Sequence, residues 1–504
     1  MQTRDPSQGS AQYHDPLYLN SHTHTEKAEA KTDMAQTRLA WPTLAIFALP
    51  ALVSAITHGP IAGILPALYA QRFSIDLALV GTVLLTARIF DAVTDPLIGY
   101  LSDRTQSRFG RRKPWVVTGA GIVVFAIFFL FRPGDNAGAA YFLIFSLLIY
   151  LGWTVMEIPY ASWALELSRS TKERARINAS RTFFLFIGGL LFTLSPLLLP
   201  NENGTIALFM EGNDFFTNIM TSNTRMTFDV LSALAFAVII LVPVATALAV
   251  TLVPTGDVIM TKEKPRLTEL WASLRDNPPF KAFLMAYLFI GVASGVSGVV
   301  SFMYIDSYLT IGDRYTQLFG PAIVVGPLVV PFWGWVINRF GKYRVTAAAF
   351  TIYTAILPLP WFIAPGPEAF APMVAYYCAI TAFSPLLMIA MPTMLGDIID
   401  YDELRTGKNR AGQYYAFLAL ISKTTASVGG PIALFIIGFF GYQPGAENDA
   451  EAILGLRVVA NLLPALGVIP ALYILWRFPI TDASQQDYAA RLDARMTKST
   501  VAER

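Results

Sequence analysis

The most informative stretch of this chain is ARIFDAVTDPLIGYLSDR, residues 87–104. It ends an apolar run that can cross a bilayer, for which a helix needs about 20 mostly apolar residues. Two carboxylates, Asp91 and Asp95, lie inside this run, and the basic turn RFGRRK, residues 108–113, follows it. An ionisable group at bilayer depth costs on the order of 3 kcal/mol on insertion scales, so it indicates a function. The stretch therefore predicts a membrane helix that carries a functional acidic pair.

The composition extends this interpretation to the whole chain. Of the 504 residues, 54% are hydrophobic and 14% are charged, whereas soluble domains carry about 25% charged residues. The net charge of +2 gives no indication of nucleic-acid binding, and the single cysteine, Cys378, excludes an intramolecular disulfide or a cysteine metal cluster. The sequence contains no phosphate-binding loop and no HExxH or GxSxG motif. We predict a polytopic helical membrane protein that is not an enzyme and needs no cofactor.

Twelve apolar segments are long enough to span a membrane, so the predicted fold class is all-α integral membrane. They lie at residues 41–70, 79–101, 115–132, 140–164, 180–200, 228–254, 281–306, 316–337, 345–364, 368–395, 411–440 and 455–476. The charged connection 255–280 divides them into two six-helix bundles, 41–254 and 281–478. The polar ends, 1–40 and 479–504, are predicted to be tails, the first of them disordered.

The basic residues predict an orientation. Most of the 37 Lys and Arg residues fall in the two tails and in the loops that follow even-numbered helices. Because cytoplasmic loops carry such an excess, both termini are expected to be cytoplasmic, as an even number of helices requires. The expected location is the plasma (inner) membrane.

The two halves repeat a pattern at the end of their second helices. PLIGYLSDR, residues 96–104, and PFWGWVINR, residues 331–339, place proline, glycine and arginine at matching positions. A basic turn follows each of them, at 109–113 and at 340–344. Parallel six-helix repeats of this kind place a substrate site between the halves near the bilayer midplane, and access alternates by rocking of the halves.

These motifs resemble those of a known family. The GxxxDR element at 99–104 and its basic turn resemble the signature of the major facilitator superfamily. The stretches 88–99, 107–115, 156–160 and 396–401 are similar to the glycoside–pentoside–hexuronide:cation symporters. The resemblance covers helices 2 to 11 in order. It implies the major facilitator fold and a cation-coupled symporter that works by alternating access.

A candidate cation site lies on the second helix. Asp91 and Asp95 are four residues apart and share one helix face. Two carboxylates repel each other unless a proton or cation lies between them or a base such as Arg88 compensates. Thr94 and Thr154 add hard oxygen ligands, and the set favours Na⁺ or a shared H⁺. The alternative is a packing feature that a salt bridge to Arg88 holds together.

Candidate solute ligands lie on other helices. A carboxylate and a guanidinium can together bind sugar hydroxyls, and the resemblance implies that Glu157 and Arg181 belong to a sugar site. Lys423 falls in the middle of the eleventh predicted helix, where a lysine needs a carboxylate partner, and the expected partner is Asp91 or Asp95. His58 and Arg88 complete the predicted solute-binding set. The alternatives are a structural ion pair for Glu157 with Arg181, and a packed or capping role for His58.

The basic turn supplies a third set of residues. We expect it to seat the cytoplasmic ends of neighbouring helices and to help set the equilibrium between inward-open and outward-open states. The predicted gating residues are Gly99, Asp103, Arg104, Arg111 and Arg112.

Three departures from the family pattern leave the solute and the coupling ion open. The first predicted helix has no carboxylate, Ala161 stands where the resemblance implies a tryptophan, and Thr94 stands where it implies an asparagine. The leading hypothesis is import of a glycoside or sugar-like solute with Na⁺ or H⁺. A lysolipid or another amphiphilic solute is the alternative on the same fold, and a transporter-like receptor is a third. The expected partners are a small-molecule solute and the lipid bilayer, for a monomeric protein without nucleic acid.

Overall fold

The fold is given by a computed structural model, which describes residues 39–168, 171–198, 222–255, 275–407, 410–488 and 490–492. Within these ranges the regular secondary structure is entirely helical. The predicted amino-terminal tail and most of the connection 255–280 lie outside the described residues, as do residues 493–504 of the carboxy-terminal tail. The domain boundaries therefore stay predictions.

The described helices fall into two halves along the chain. The first half contains α1 (Trp41–Gly63), α2 (Leu65–Phe73), α3 (Leu77–Arg104), α4 (Lys113–Phe131), α5 (Ala139–Glu166), α6 (Thr171–Leu194) and α7 (Phe228–Leu252). The second half contains α8 (Pro278–Met303), α9 (Tyr315–Leu328), α10 (Val330–Phe340), α11 (Lys342–Ile356), α12 (Phe370–Thr406), α13 (Ala411–Phe439), α14 (Ala450–Arg457) and α15 (Leu463–Trp476).

The lengths and apolar character of these helices confirm an all-helical membrane protein. Among the described residues, ten helical segments can cross a membrane, and the bent pair α9 and α10 makes an eleventh. Helix α13, 29 residues long, occupies the remaining predicted segment. A five-residue π-helical turn joins α14 to α15, and the three together form one span.

Several predicted segments differ from the helices that form, and α12 continues to Thr406 instead of ending at residue 395. Segment 41–70 is broken at Ile64, and segment 316–337 bends by 44° at Val329. Each break has a proline just beyond it, Pro66 or Pro331, and proline removes one backbone hydrogen bond and clashes with the preceding turn. Helix α6 begins at Thr171 rather than at residue 180, because its polar first turns hid the helical pattern.

Each half packs mainly within itself. In the first half α4 packs on α5 and α7, α1 packs on α6 and α7, and α3 packs on α5. In the second half α8 packs on α13 and α15, and α12 packs on α9 and α11. The largest cluster of buried apolar side chains fills the first half and continues into the second half along α8 and α13, at residues such as Val299 and Leu434. A second cluster lies within the second half. The halves meet where α3 contacts α13, α6 contacts α9 and α1 contacts α8.

Glycines bring the halves together at the end of the molecule away from the basic turns. A Cβ atom at Gly63 would lie 3.1 Å from the Gly298 carbonyl oxygen, and one at Gly81 would lie 3.3 Å from that of Pro431. One at Gly438 would lie 3.3 Å from the Ala78 nitrogen. Small residues allow such close helix contact. We call this region the closed end.

Buried hydrogen bonds also join the halves at the closed end. The Thr224 hydroxyl donates to Gln317 Oε1 at 2.6 Å, and the Thr316 backbone N–H donates to Thr224 Oγ1 at 3.0 Å. All three residues are buried. Nearby, Arg225 Nη2 lies 2.8 Å from Asp306 Oδ2 in an ion pair between the halves. Polar as well as apolar contacts therefore hold this end shut.

Candidate solute and cation site

A cavity of about 470 Å³ lies between the two halves. Its volume is within the range of about 300–1,000 Å³ that is typical of small-molecule sites. From the first half it is lined by His58, Ile61, Leu84, Arg88, Tyr150 and Glu157. From the second half it is lined by Ser294, Gly295, Gly298, Val299, Ser422, Gly430 and Pro431. Three of the residues predicted to bind solute thus line one cavity, where the repeat predicts a site.

The two carboxylates of α3 meet a hydroxyl from α5. Thr154 Oγ1 lies 2.8 Å from Asp91 Oδ1 and 2.9 Å from Asp95 Oδ1. Asp91 and Thr154 are buried, with 4% and 2% of their surface exposed. The hydroxyl of Thr94 instead bonds to the backbone oxygens of Phe90 and Asp91, so it is turned toward its own helix. The structure brings together three of the four predicted cation ligands.

Only one hydrogen is available at the contact between Thr154 and the two carboxylates. A threonine hydroxyl carries one hydrogen, yet Thr154 Oγ1 is within hydrogen-bonding distance of two carboxylates. If both acids are ionised, the hydroxyl hydrogen can serve only one of them at a time, and the two negative charges repel. The arrangement suits one proton or one small cation shared between the acids.

His58 and Glu157 face each other across the cavity. His58 Nδ1 is 2.8 Å from the Ser54 carbonyl oxygen, so it is the nitrogen that donates a hydrogen, and Nε2 is 3.7 Å from Glu157 Oε1. The imidazole ring stacks on Trp153, with ring centroids 3.6 Å apart. Both His58 and Glu157 keep about 40% of their side-chain surface exposed. At 3.7 Å the two groups are not hydrogen-bonded to each other, so both can bind solute hydroxyls.

Two aromatic residues of this site were not predicted from the sequence. Tyr150 lines the cavity, and Trp153 supports His58. With Thr154 and Glu157 they follow the spacing of three and four residues that places side chains on one helix face. This spacing could have indicated Tyr150 and Trp153, but aromatic residues with the same spacing are also common in packed membrane helices.

Arg88 does not form the salt bridge that the alternative interpretation of the acidic pair requires. Its guanidinium lies over the ring of Tyr150, 4.3 Å from the centroid. No carboxylate of the described residues lies within 4.0 Å of it. Among the described residues, Arg88 therefore places a positive charge at the cavity and does not form an ion pair with Asp91.

The remaining two predicted solute ligands are placed differently. Because α6 begins at Thr171, Arg181 lies about 15 Å along the helix and not at the end of a basic loop. Its guanidinium lies over Tyr160, 4.5 Å from the ring centroid, and no ion pair within 4.0 Å joins it to Glu157. Lys423 belongs to α13 next to the cavity residue Ser422, but its side chain lies outside the described part of the chain.

The basic turn is organised around Arg112. Its Nη2 donates to Asp103 Oδ1 at 2.7 Å, its Nη1 to the Ser102 hydroxyl at 2.9 Å and its Nε to Glu166 Oε1 at 2.9 Å. Arg111 donates to the same Glu166 oxygen at 3.1 Å. The network ties the ends of α3 and α5 to the start of α4. Glu166 was not predicted, because an acid at a helix end carries no distinguishing pattern.

The other two predicted gating residues lie outside this network. The side chain of Arg104 lies over the ring of Tyr100, 4.2 Å from the centroid. A Cβ atom at Gly99 would meet Ile158 at 3.8 Å, an ordinary contact. The close approach that would require glycine is therefore not present at Gly99 in this conformation.

The second half has its own polar cluster at the matching turn. Lys342 and Tyr343, at the start of α11, both contact the buried carboxylate of Asp397 in α12. Asp482 accepts a hydrogen bond from the Lys342 backbone N–H at 3.1 Å, beside Gly341 with its positive φ of 85°. Both halves therefore tie the ends of their helices together at the basic turns.

The Arg112 network predicts unequal effects for its two acids. Glu166→Gln should slow transport more than Asp103→Asn, because both acids pair with Arg111 and Arg112 but the Glu166 side chain is 10% exposed, whereas Asp103 is 49% exposed. Removing one partner of a buried pair leaves an uncompensated charge, and a surface pair contributes little. Initial transport rates and solute affinity of both variants are to be measured. Equal rates in the two variants, or loss of affinity without loss of rate, would contradict a gating role.

Comparison with known proteins agrees with the fold. Residues 46–482 match the family described as MFS/sugar transport protein. The chain is 23% identical to the glucuronide carrier protein homolog of Escherichia coli, over 91% of this chain and 96% of that protein. It is 22% identical to the sodium-dependent lysophosphatidylcholine symporter 1-B of Danio rerio, over 83% and 84%.

The solved structure of the nucleoside transporter NupG has the same fold. It superposes with a TM-score of 0.61 at 12% identity and covers 87% of this chain and 99% of its own. The protein is thus an integral membrane transporter of the symporter class, and not an enzyme. It belongs to the major facilitator superfamily, within the glycoside–pentoside–hexuronide:cation symporter family.

Proposed function

We propose that the protein imports a polar organic solute, a glycoside or another sugar-like compound, together with Na⁺ or H⁺. The supporting observation is the acidic pair, bridged by Thr154 and adjacent to the solute cavity. Thr154 lies on α5 between the cavity residues Tyr150 and Glu157, and Asp91 follows the cavity residue Arg88 by one turn of α3. An ion and a solute can therefore bind side by side.

The proposed roles follow the three groups of residues. The ion is held by Asp91, Asp95 and Thr154, and Thr94 joins them only if its hydroxyl turns away from the backbone of its own helix. The solute is bound by His58, Arg88, Glu157, Arg181 and Lys423. The conformational equilibrium is set at the basic turn by Gly99, Asp103, Arg104, Arg111 and Arg112, to which the geometry adds Ser102 and Glu166.

Coupling follows from the charge of the acidic pair. A proton or cation between Asp91 and Asp95 relieves their repulsion and so stabilises the arrangement of α3 and α5 that forms the cavity. A cation that favours the solute-binding arrangement raises solute affinity, and by linkage the solute raises cation affinity by the same factor. Two ligands that stabilise each other move together through alternating access.

The orientation also belongs to this proposal. If the basic turns face the cytoplasm, as the excess of Lys and Arg favours, the closed end faces outward. The cavity is then shut from the outside by contacts such as Thr224 with Gln317 and Gly81 with Pro431. Both termini are cytoplasmic in this orientation, and the membrane is the plasma (inner) membrane.

Transport into right-side-out vesicles tests the proposed function. Uptake of labelled glycosides is measured under an imposed Na⁺ gradient, an imposed pH gradient and no gradient. The proposal predicts accumulation above the external concentration with one of the two gradients. Solute movement that only equilibrates under every condition would show a facilitator instead of a symporter.

A second candidate solute class is a lysolipid or another amphiphile. Part of the cavity wall favours an amphiphile, because it is formed by the apolar residues Ile61, Leu84, Val299 and Pro431. In addition, one relative is named a lysophosphatidylcholine symporter. Labelled lysophosphatidylcholine in the same vesicle assay separates the two classes.

Glu157→Gln should weaken solute binding. The carboxylate accepts hydrogen bonds from solute hydroxyls, and the amide replaces one acceptor oxygen by a donor. The loss expected for a hydrogen bond to a charged group is about 1.5–3 kcal/mol, or roughly 10- to 150-fold in the dissociation constant. Calorimetric titration measures it, with Glu451→Gln at an exposed site as the control. Normal binding with lowered thermal stability would assign Glu157 a structural role.

A further inference from the structure

Helix α7 connects the closed end of the molecule with the basic turn of the first half. Thr224 and Arg225 lie just before its start at Phe228. They bond across to Gln317 and Asp306 of the second half. The helix has 25 residues, which at 1.5 Å per residue is about 37 Å. The structure describes all 25, and none of them lines the cavity between the halves.

The other end of α7 is held by a lysine of the basic turn. In a longer helix the Val250 carbonyl oxygen would accept from the N–H of residue 254, but Pro254 has no N–H. Lys113 Nζ supplies a donor instead, 2.7 Å from the Val250 oxygen and 2.7 Å from that of Val253. Lys113 is 8% exposed, and a lysine at the carboxyl end of a helix also interacts favourably with the helix dipole.

Trp163 of α5 holds the same end of α7 from a second side. Its Nε1 donates to the Pro254 carbonyl oxygen at 2.8 Å, and its ring centroid is 5.3 Å from Lys113 Nζ. The tryptophan is fully buried. A Cβ atom at Gly110, where φ is 92°, would lie 2.8 Å from Thr255 Cγ2, so the basic turn also contacts the residue after Pro254. We call Lys113 and Trp163 the α7 clamp.

The α7 clamp adjoins the Arg112 network. Lys113 follows Arg112 in the chain, and Trp163 precedes Glu166 by one turn on the same face of α5. Arg112 bonds to residues of α3 and α5, while the next residue bonds to α7. A rearrangement of the basic turn therefore reaches α7 through adjacent residues.

We propose that α7 couples the basic turn to the closed end, and that Lys113 and Trp163 are the positioning residues of this coupling. Packed helices that hold two sites in discrete arrangements can carry such coupling. In this conformation the α7 clamp is formed and the closed end is shut. Because the clamp holds α7 in place, it keeps Thr224 and Arg225 against the second half. Its loss should therefore favour opening of the closed end. This inference concerns the transport cycle and goes beyond the proposed function, since it depends on no particular solute.

Thiol labelling of the purified full-length protein without solute tests the coupling. Thr316→Cys in a Cys378→Ser background reports opening, because Thr316 is buried between the halves at the closed end. Lys113→Met removes both hydrogen bonds to α7, so labelling should become about three- to tenfold faster, the range for one or two lost hydrogen bonds. Trp163→Phe should act in the same direction with a smaller effect, and it serves as the test variant if Lys113→Met does not fold.

Two controls distinguish coupling from general loosening of the protein. Lys281→Met is the matched control, since Lys281 is an exposed lysine near the start of α8, and labelling of Thr316→Cys should not change. Ser146→Cys in the same background reports loosening of the first half, because Ser146 of α5 is buried. Its labelling should be the same with and without Lys113→Met.

Two results would overturn the proposal. One is unchanged labelling of Thr316→Cys in folded Lys113→Met and in Trp163→Phe. The other is an equal acceleration at Ser146→Cys, which would assign the α7 clamp a role in stability alone. Because no solute is present, a failure of glycoside uptake in vesicles would reject the proposed solute and leave this test unaffected.

Discussion

Asp95→Asn is expected to abolish accumulation of solute against its gradient while downhill exchange survives. Asp95 and Asp91 share the hydroxyl of Thr154, and a proton or cation between them relieves their mutual repulsion. An asparagine removes one negative charge permanently, so the empty site no longer differs from the loaded site. The solute then binds without the ion, and the reciprocal linkage that drives accumulation is lost. Vesicle uptake with an imposed gradient and counterflow without one measure the two activities.

Variants of residues near Asp95 distinguish a role in coupling from a role in helix packing. Asp91→Asn should act in the same direction, and Thr154→Val should weaken the cation dependence because it removes the oxygen between the acids. Thr86→Val is the matched control, since that hydroxyl bonds to the backbone of its own helix α3 and is exposed. If Asp95→Asn still accumulates solute against its gradient, the Asp95 carboxylate is not needed for coupling.

Gly81→Leu is expected to reduce transport by more than about tenfold while solute binding survives. A Cβ atom at Gly81 already lies 3.3 Å from the Pro431 carbonyl oxygen and 3.4 Å from Leu434 Cβ. A leucine side chain at position 81 does not fit while α3 contacts α13. In Gly81→Leu the two halves should therefore stay apart at the region called the closed end. Transport requires this contact to form and break in each cycle.

Thiol labelling measures independently whether Gly81→Leu opens the closed end. Thr316→Cys, placed in a Cys378→Ser background, reports access to the closed end, because Thr316 is buried there between the halves. Labelling should be faster in Gly81→Leu. Gly121→Leu is the control, since no atom lies within 4 Å of a Cβ at Gly121. Normal transport by Gly81→Leu would show that the contact between α3 and α13 does not have to close.

The sequence predicted those features that depend on local pattern. The apolar segments predicted an all-helical membrane protein, and the acids at one-turn spacing predicted that Asp91 and Asp95 share a face. The basic turn predicted that Asp103 and Arg112 belong to one gating set, although their direct contact was not predicted. These inferences needed only the chemistry of nearby residues and the period of a helix.

Features that depend on contacts between distant helices were not predicted. The sequence does not show that Glu166 meets Arg112, that Trp153 supports His58, or that Arg88 lies on Tyr150. The early start of α6 was missed because its first turns are polar. The closed end could not be expected at all, since it belongs to one conformation of a molecule that alternates between several.

The most direct test of the central claim is solute affinity titrated against Na⁺ and against pH in the purified protein and in Asp95→Asn. In the unchanged protein, affinity should rise as one of the two ions loads the acidic pair. In Asp95→Asn the affinity should be independent of that ion. An identical cation response in both proteins would contradict the account and leave α3 as a packing element.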